Sequence, residues 1–559
     1  MTRIPVLLCL IASLSADTPP AFEAADVHAA VVKGNNQYMR RMSTRAGRYE
    51  LRSATMVDLI STAYGVDPDK VLGGPNWLEY DVFDVIAKAP ARATQDEQKA
   101  MLKELLADRF KLVARPDVKP MPAFALTAGK KPNLKPADES GETGCKFTME
   151  NVGPPPAGAQ PTIRVPTFLY TCRNIGMAAF ADQMRSMVMA QQDLNDTPVV
   201  DRTELKGNWD FTFKYTFSGM RAFAGPDAAT ITFTDAIEKQ LGLKLEPVKV
   251  PLPVVVVESV NRKPTDNLPD VAQKLQSVPE PTEFEVAEVK PSDPEQRGMR
   301  FNIQPGGRVN MSGVTLKFII QQAWNITDDM LVGAPKWMDT DRFDIIAKAP
   351  STAAPPAEGA APGPGNGPGV DIDTVWTMIR SLLVERFKLA THEETQPVSA
   401  YTLMAVKPKM KKADSASRTR YKEGPAPDAK DPRKANPVLS RLVNCQNMTM
   451  DQFAEKLQGI APGYIHSPVL NATGLEGGYD FTLSFSPAGM GNALAAGRGG
   501  RGGGDAGPAA GGVSDASDPT GAVTLFEALE KQTGLKLELQ KRPIKVLVID
   551  HVEQKPVDN

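Results

Sequence analysis

The chain has 559 residues, of which 42% are hydrophobic and 23% are charged, and its formal net charge at pH 7 is −2. This is the composition of an ordinary globular chain, and the near-zero net charge excludes a whole-protein attraction to nucleic acid or to an anionic membrane. The 48 prolines and 44 glycines exceed the usual share and concentrate in linkers, so they describe loops rather than cores.

The N-terminal residues 1–16 are predicted to be a signal peptide. Arg3 supplies a positive charge, residues 4–14 (IPVLLCLIASL) form an apolar run, and small residues lead up to Asp17. The run is too short to span a bilayer and has the length of a signal sequence. A misassigned start or a buried N-terminal strand is the alternative. No later apolar stretch approaches the ~20 residues of a transmembrane helix, so we expect an exported protein, periplasmic or secreted, without a transmembrane segment.

The most informative feature of the chain is a repeat, in which one domain occurs twice. Residues 335–350 (PKWMDTDRFDIIAKAP) match residues 75–90 (PNWLEYDVFDVIAKAP) at ten of sixteen positions, at an offset of 260. LLVERFKL in the second half matches LLADRFKL in the first, and KPVDN at the end matches KPTDN at 263–267. A repeat of this length indicates the tandem duplication of a whole domain.

The repeat predicts the domain boundaries. We place copy 1 at 22–267 and copy 2 at 284–559, joined by a polar, proline-bearing linker at 268–283. Changes in the offset between the copies locate two insertions in copy 2, near 353–369 and near 491–518. Both are rich in glycine, proline or alanine, which is typical of flexible exposed loops.

Apolar spacing predicts four helices in each copy. Leu316, Ile319 and Ile320 fall at i, i+3 and i+4, which is one face of a helix, and the same spacing recurs along both copies. The last helix of each copy is predicted to end at a glycine, Gly242 in copy 1 and Gly534 in copy 2. The apolar faces begin at Met56, Gln98, Met177, Leu316, Val375, Met450 and Leu525.

Strands are predicted between these helices. In copy 2 they cover 284–290, 343–347, 398–406, 479–485 and 545–550. The last of them, KVLVID, is apolar enough to be central in a sheet. Helices do not alternate one-for-one with strands, so the α+β class is favoured over a parallel α/β sheet. We expect two small α+β modules per copy, with mixed or antiparallel sheets packed by helices, dividing near 135–170 and near 410–440.

Three cysteines follow the predicted signal peptide. Cys172 and Cys445 are repeat partners, whereas Cys145 has no counterpart. In an oxidising compartment, Cys145 and Cys172 are candidates for a disulfide, which leaves Cys445 over. Three buried free thiols are the alternative.

Several blocks of copy 2, taken together, resemble a known family. FEVAEVKPS at 284–292, FDIIAKAP, LLVERFKLATHEE and LNATGLEGGYDFTL are similar to the soil-associated bacterial protein family of unknown function. The resemblance covers nearly all of copy 2 and, less closely, copy 1, where FEAADVHAA replaces FEVAEVKPS. It implies an exported bacterial protein and no established activity.

The end of each copy carries a weaker likeness. A helix of the form LFEALEKQTGLKLE, a strand, a basic turn and KVLVID are similar to the short N-terminal domain of secretins and TonB-dependent receptors. Those domains are small α+β docking modules of the periplasm. A pattern this short supports fold analogy alone.

Sequence motifs of catalysis are not found in the chain. The four histidines, His28, His392, His466 and His551, do not have metal-site spacing, and no nucleophile elbow, phosphate-binding loop or dinucleotide fingerprint occurs. The GRGGRGGG segment has two arginines and no aromatic residue, so a flexible loop is favoured over a nucleic-acid-binding segment. We therefore predict no catalytic, cofactor-binding or metal-binding residue and no cofactor.

Some charged and aromatic residues occur in both copies and are the remaining candidates for a site. The charged residues are more often structural ion pairs or turn-forming groups than a site. A tryptophan after a Gly-x-Pro turn lines a ligand groove less often than it fills a core. The shared pairs are Asp84 and Asp344, Lys88 and Lys348, Arg109 and Arg386, Asp210 and Asp480, and Trp77 and Trp337.

The favoured hypothesis is a non-enzymatic, exported interaction protein that binds an unknown envelope protein or a small ligand, and not nucleic acid. Duplication without catalytic residues and the likeness to docking modules favour it, since edge strands of such modules accept a partner strand. One alternative is an extracellular hydrolase that assembles a site from Asp344, Lys348 and Glu385. Another is the sensor ectodomain of an envelope regulatory system.

Overall fold

The computed structural model describes residues 20–30, 40–43, 48–90, 92–138, 141–150, 167–188, 190–194, 197–216, 231–275, 281–293, 298–304, 307–350, 372–424, 431–436, 438–439, 441–489 and 521–557. The predicted signal peptide at 1–16 and the predicted insertions at 353–369 and 491–518 lie outside the described residues. The described residues form helices and mixed or antiparallel sheets, which confirms the α+β class.

Each copy contains two structural units, and all four units have the same order of strands. The elements of unit 1 are β1 (Ala24–Ala29), β2 (Arg40–Ser43), β3 (Arg48–Thr55), α1 (Met56–Tyr64), β4 (Val71–Gly73), β5 (Val82–Lys88), α2 (Gln95–Phe110) and β6 (Val113–Ala128). Those of unit 2 are β7 (Lys135–Pro136), β8 (Gly144–Glu150), β9 (Thr167–Gly176), α3 (Met177–Met184), α4 (Ala190–Leu194), β10 (Val199–Asp201), β11 (Asn208–Thr216), α5 (Phe233–Leu241) and β12 (Leu243–Ser259).

Copy 2 follows a short helix, α6 (Val271–Lys274), in the predicted linker. The elements of unit 3 are β13 (Val286–Pro291), β14 (Arg300–Gln304), β15 (Arg308–Thr315), α7 (Leu316–Trp324), β16 (Leu331–Val332), α8 (Trp337–Thr340), β17 (Arg342–Lys348), α9 (Ile372–Phe387) and β18 (Ala390–Ala405). Those of unit 4 are β19 (Lys411–Lys412), β20 (Arg420–Glu423), α10 (Pro432–Ala435), β21 (Arg441–Met448), α11 (Met450–Ile460), β22 (Val469–Asn471), β23 (Tyr479–Phe485), α12 (Leu525–Ala528) and β24 (Leu535–His551).

Every unit builds one four-stranded sheet of its own. The orders are β1-β5-β3-β2, β7-β11-β9-β8, β13-β17-β15-β14 and β19-β23-β21-β20. The second, third and fifth strands of each unit therefore hold equivalent places, with β2, β8, β14 and β20 at one edge. We call these four the outer strands.

The two units of a copy share a second four-stranded sheet, to which each unit contributes two strands. The long strands β6 and β12 pair antiparallel over their whole length, from Ala128 opposite Leu243 to Val113 opposite Ser259. At one end of this ribbon β4 of unit 1 adds to β12 in parallel, and at the other end β10 of unit 2 adds to β6. Copy 2 repeats the arrangement, with β18 and β24 as its ribbon and with β16 and β22 added at its ends.

The ribbons contribute residues to both cores of a copy. Val255 and Val257, at the end of β12, are buried in the core of unit 1, while Leu126 of β6 is buried in the core of unit 2. In copy 2, Leu547 of β24 packs into unit 3 and Leu403 of β18 into unit 4. The two predicted modules per copy are therefore present, and neither has a complete core without a strand from the other.

The predicted helices begin and end close to where the apolar spacing placed them. Helix α1 starts at Met56, and Thr55 before it forms a capping box with Asp58, which satisfies the first backbone donors. Gly242 follows α5 with φ of 66°, and Gly534, with φ of 73°, follows the π-helical turn Leu529–Thr533 that continues α12. A Cβ at Gly534 would lie 1.7 Å from the Lys407 carbonyl oxygen, so both the positive φ and the close approach require glycine there.

The ribbon strands are longer than their sequence pattern predicts. The predicted strands 398–406 and 545–550 cover only parts of β18 and β24, which begin at Ala390 and Leu535. The additional residues of β18 are mostly exposed, so they lack the apolar alternation that marks a half-buried strand. The additional part of β24 does alternate, and its Leu535 and Leu537 are buried in the core of unit 4. The chain passes to the second module between Ala128 and Lys135, and in copy 2 between Ala405 and Lys411, slightly before the predicted divisions.

A β-bulge held by an aspartate recurs in all four units. In each, the strand before the first helix has one residue with φ between 44° and 66°, and the backbone N–H of that residue donates to an aspartate on the neighbouring strand. We call this the bulge contact. Its four members are Ser53 to Asp84 (2.8 Å), Asn174 to Asp210 (2.9 Å), Gly313 to Asp344 (2.9 Å) and Asn447 to Asp480 (2.8 Å).

The cysteine pair predicted in copy 1 is a disulfide. Cys145 on β8 and Cys172 on β9 are directly opposite each other and bonded, while Cys445 is a buried free thiol. Tyr421 on β20 lies opposite Cys445, at the place that Cys145 holds in copy 1. The disulfide therefore fixes the outer strand of unit 2 to its sheet by a bond that unit 4 replaces with a tyrosine.

Replacing Asp480 with alanine is expected to destabilise the protein by about 1–3 kcal/mol, because the Asn447 N–H loses a charged acceptor in a partly buried site. Urea denaturation measures the free energy of unfolding. Asp480→Asn is the matched control, since its amide oxygen still accepts the bond, and its loss should be smaller. An Asp480→Ala variant as stable as the wild type would contradict a stabilising role for the bulge contact.

Replacing Cys145 with alanine is expected to lower stability by about 3–4 kcal/mol, the loop-closure contribution of a bridge between residues 27 apart. Thermal unfolding with and without a thiol reductant measures the effect. Reductant should lower the melting temperature of the wild type and leave the Cys145→Ala variant unchanged. A wild type that is insensitive to reduction would contradict a stabilising role for the bond.

Candidate interaction surfaces

The candidate site residues that both copies share are engaged in structural contacts. The four aspartates form the bulge contacts, and Asp344 also accepts a 2.7 Å bond from the Ser292 hydroxyl. Lys88 pairs with Glu23 at 3.0 Å and Lys348 with Glu285 at 3.4 Å. These residues therefore hold strands together, as the structural interpretation predicted.

Arg109 connects the repeated KPTDN segment to unit 1. Its Nε donates to the Thr265 hydroxyl at 3.1 Å and its Nη2 to the Asn267 side chain at 2.7 Å. Asn267 also accepts from the Val27 N–H at 3.0 Å, so the segment is bonded to strand β1. In copy 2 the backbone carbonyl of its counterpart, Arg386, accepts a 2.7 Å bond from the Val557 N–H in KPVDN. Both shared arginines therefore bond the last segment of their copy to the first unit of that copy.

Trp77 and Trp337 lie against the cores of their units. Trp77 is buried beside Phe83, with ring centroids 6.1 Å apart, and Trp337 is partly buried at the edge of the unit 3 core. A core role is therefore confirmed for Trp77.

A cluster of charged side chains in unit 1 surrounds His28. Its Nδ1 is 3.2 Å from Asp26 and its Nε2 is 3.7 Å from Asp84, which also lies 3.7 Å from Arg52. Copy 2 has Lys290 and Ser312 at the places of His28 and Arg52. A histidine–carboxylate site needed by both copies is therefore not assembled at this position.

A second histidine–carboxylate pair lies on the copy 2 ribbon. The Nδ1 of His392 is 2.8 Å from Asp550, and this bond raises the pKa of His392 above its ordinary value of 6.5. In copy 1 the same place is held by Arg115, which pairs with Glu258 at 3.0 Å. A cation facing a carboxylate across the ribbon is thus the shared feature, which is the role of a cross-strand ion pair. Within the ranges that the structure describes, no group of three metal-ligating side chains occurs.

The outer strand β8 of unit 2 has an apolar exposed edge. Phe147 and Met149 lie two residues apart, opposite Tyr170 and Phe168, and are 42% and 49% exposed. Their side chains continue the aromatic core of unit 2 to the surface, since the Phe147 ring lies 5.4 Å from that of Tyr170. In the described part of the chain, the far edge of β8 pairs with no strand.

The outer strands of the other units differ from β8. Strand β14 exposes Phe301 at 41%, and Met299, which lies just before the strand, is exposed at 50%; the Phe301 ring stacks on Trp376 of helix α9 at 5.4 Å. In β20 the counterpart of Phe147 is Glu423, which pairs with Arg441 at 2.7 Å. Among β8, β14 and β20, whose side chains the structure describes, β8 is the strand that carries two exposed apolar residues within its own length and a disulfide to its neighbour.

The two copies meet where a loop of unit 1 contacts unit 4. The Arg418 guanidinium lies 2.9 Å from Glu79, donates to the carbonyl of Gly73, and is joined at Glu79 by Arg420. The Thr419 N–H donates to the Asn76 carbonyl at 3.0 Å. We call these residues the inter-copy contact. Sequence reasoning missed it, because its partners are some 340 residues apart and no motif connects them.

The inter-copy contact is polar and largely shielded from solvent. The side chains of Arg418 and Glu79 are 9% and 17% exposed, and burial lowers the pKa of Arg418 while Glu79 partly opposes that shift. Tyr80 adds a 2.9 Å bond from its hydroxyl to Glu455, and burial with this bond raises the pKa of Tyr80. The contact therefore combines ion pairs at Glu79 with neutral hydrogen bonds at Asn76.

Comparison with known proteins places the chain in a family. The model of DUF3738, a family of proteins of unknown function, matches residues 57–260 and residues 317–552, so the chain belongs to this family and contains its domain twice. Soil association and export stay predictions from the sequence. No curated protein and no solved structure matches the chain. Among the described residues, no helix is long and apolar enough to cross a membrane.

The pKa of His392 is expected to lie above 6.5 in the folded protein and to fall toward that value in Asp550→Asn, because the carboxylate stabilises the imidazolium. A raised folded-state pKa stabilises the fold below the unfolded value, and this contribution is lost as the pH rises through the folded value. NMR titration of the imidazole measures the shift. Glu394→Gln is the control and should change it less; an unshifted Asp550→Asn would contradict the assignment.

Proposed function

We propose that the protein is an exported, non-enzymatic binding protein of the bacterial cell envelope, whose outer strand β8 accepts an extended segment of a partner protein. The observation that carries the proposal is the combination, in one strand, of an edge without a neighbour in the described chain and two exposed apolar side chains, Phe147 and Met149.

Strand addition uses both properties of β8. The backbone N–H and C=O groups of an edge strand bond to an added strand, and side chains two residues apart on one face contact alternate residues of that strand. Natural edges are commonly blunted by proline, bulges or inward-pointing charges. The sequence of β8, GCKFTME, has no proline, and on the face of the aromatic core it presents Cys145, Phe147 and Met149.

The disulfide supports the location and the role together. Disulfides persist in oxidising compartments, so the Cys145–Cys172 bond is in keeping with an exported protein. It also holds β8 in register on β9, so the edge is preorganised and a ligand does not have to order it.

The hydrolase alternative receives less support from the same residues. Asp344 accepts from Gly313 and Ser292, Lys348 pairs with Glu285, and Glu385 lies beside Arg386 at 3.6 Å. Each therefore has a structural partner of its own, and none of these contacts joins the three into one site.

The test is selection of extended peptides from a random library on the full-length protein, followed by affinity measurement. Enriched peptides with apolar residues two apart are expected to bind the wild type and to lose at least about tenfold in affinity, about 1.4 kcal/mol, on Phe147→Glu. This variant introduces the residue that copy 2 has at the same place, so the fold accommodates it. Peptides methylated on alternate backbone nitrogens should also bind weakly, since strand addition needs those donors.

The matched control is Phe301→Glu, which changes the equivalent strand of unit 3. It should leave the binding of the selected peptides unchanged. Enrichment of peptides whose binding ignores both Phe147→Glu and backbone methylation would overturn the proposal, as would a selection that enriches no peptide on a folded wild type.

A further inference from the structure

We propose that the Glu79 loop of unit 1, which is the segment between β4 and β5, and the Arg418–Arg420 segment of unit 4 are a specific docking pair. This pair holds the two copies together as one body in solution. The pair consists of the inter-copy contact and the neighbouring bond between Tyr80 and Glu455. It does not depend on the proposed partner of β8.

The basic side of the pair is rigidly presented by unit 4. Residues 415–419 lie against the bulge residue Asn447, whose carbonyl accepts from the Thr419 hydroxyl at 3.0 Å and whose amide donates to the Ser417 carbonyl. Asn447 is itself held by the bulge contact with Asp480. The arginines therefore extend from a segment fixed to the sheet of unit 4, so little entropy is lost when they meet copy 1.

The acidic side is complementary in geometry as well as in charge. Glu79 receives both arginines on one carboxylate, and the Gly73 carbonyl receives Arg418 beside it. Asn76 contributes twice, accepting from the Thr419 N–H at 3.0 Å and donating to the Ser415 carbonyl at 3.2 Å. Two backbone groups of each side thus take part, so charge attraction alone does not describe the pair.

The equivalent surfaces of the other two units differ in the residues that matter. In unit 2 the counterparts of Arg418 and Arg420 are Glu142 and Gly144, and Glu142 pairs with Lys146. In unit 3 the counterpart of Glu79 is Asp339, which pairs with Lys317 at 3.1 Å. The docking pair is therefore a property of unit 1 with unit 4. The docking pair uses the segment before β20 of unit 4, whereas the equivalent segment before β8 of unit 2 takes no part in it.

Hydrogen exchange at the Thr419 amide of the full-length protein tests the proposal, because this amide donates across the contact to Asn76. Glu79→Arg is expected to raise its exchange rate at least tenfold, and the triple variant Glu79→Arg, Arg418→Glu, Arg420→Glu should restore slow exchange. Raising the salt concentration should speed exchange in the wild type, since part of the contact is ionic.

The Gly424 amide, which donates to Leu442 within unit 4 at 2.8 Å, is the internal control and should exchange at the same rate in every variant. If Glu79→Arg also deprotects Gly424, Glu79→Gln takes its place as the probe of the contact. Thr419 exchange that is fast in the wild type, or that is unaffected by loss of the Glu79 charge while Gly424 stays protected, overturns the docking pair.

Discussion

The antiparallel pairing of two long strands in each copy is the constraint on which the rest of the fold depends. Strands β6 and β12 are each the last strand of one unit and an inner strand of the ribbon that completes the other. Because each core is incomplete until the ribbon forms, we expect the two units of a copy to fold and unfold together. This interdependence explains why the duplicated domain contains two small modules and not one. The order of elements along the chain, taken alone, suggests a domain boundary between the two modules.

The sequence predicted the elements that have one buried face and missed those that do not. Helices such as α1 and α7 show the 3.6-residue apolar period because one side packs on a sheet. The fourfold repeat was hidden, because units 1 and 2 share few identities. Its signal is an aromatic residue before an aspartate: Phe83–Asp84, Trp209–Asp210, Phe343–Asp344 and Tyr479–Asp480. The aspartates were recognised as shared residues, but their common partner, a bulge N–H, is a backbone group that no motif displays.

The candidate surfaces were less predictable than the fold for a physical reason. Phe147 and Met149 have the alternation of an ordinary strand, and the sequence does not tell which strand of a sheet is outermost. In the sequence, Arg418 and Glu79 are indistinguishable from ordinary solvent-exposed charged residues, because only the fold brings them together. Both surfaces lie where the copies differ: the outer strand of unit 2 keeps an apolar edge and a disulfide, and that of unit 4 follows an arginine segment committed to the other copy. Duplication supplied equivalent positions, and the two copies carry different residues at them.

The sheet that the two units share also bears on the order of events during synthesis. A ribosome makes β6 well over a hundred residues before β12, so unit 1 has to wait with an incomplete core until unit 2 has emerged. Contacts this distant in sequence slow folding, and chains that wait expose apolar surface. Copy 1 is able to close once Asn267 reaches Val27, whereas the bond from Thr419 to Asn76 has to follow much later. Because the chain emerges N-terminus first, all the residues of copy 1 are available, with the Glu79 loop uncovered, before those of copy 2 are complete.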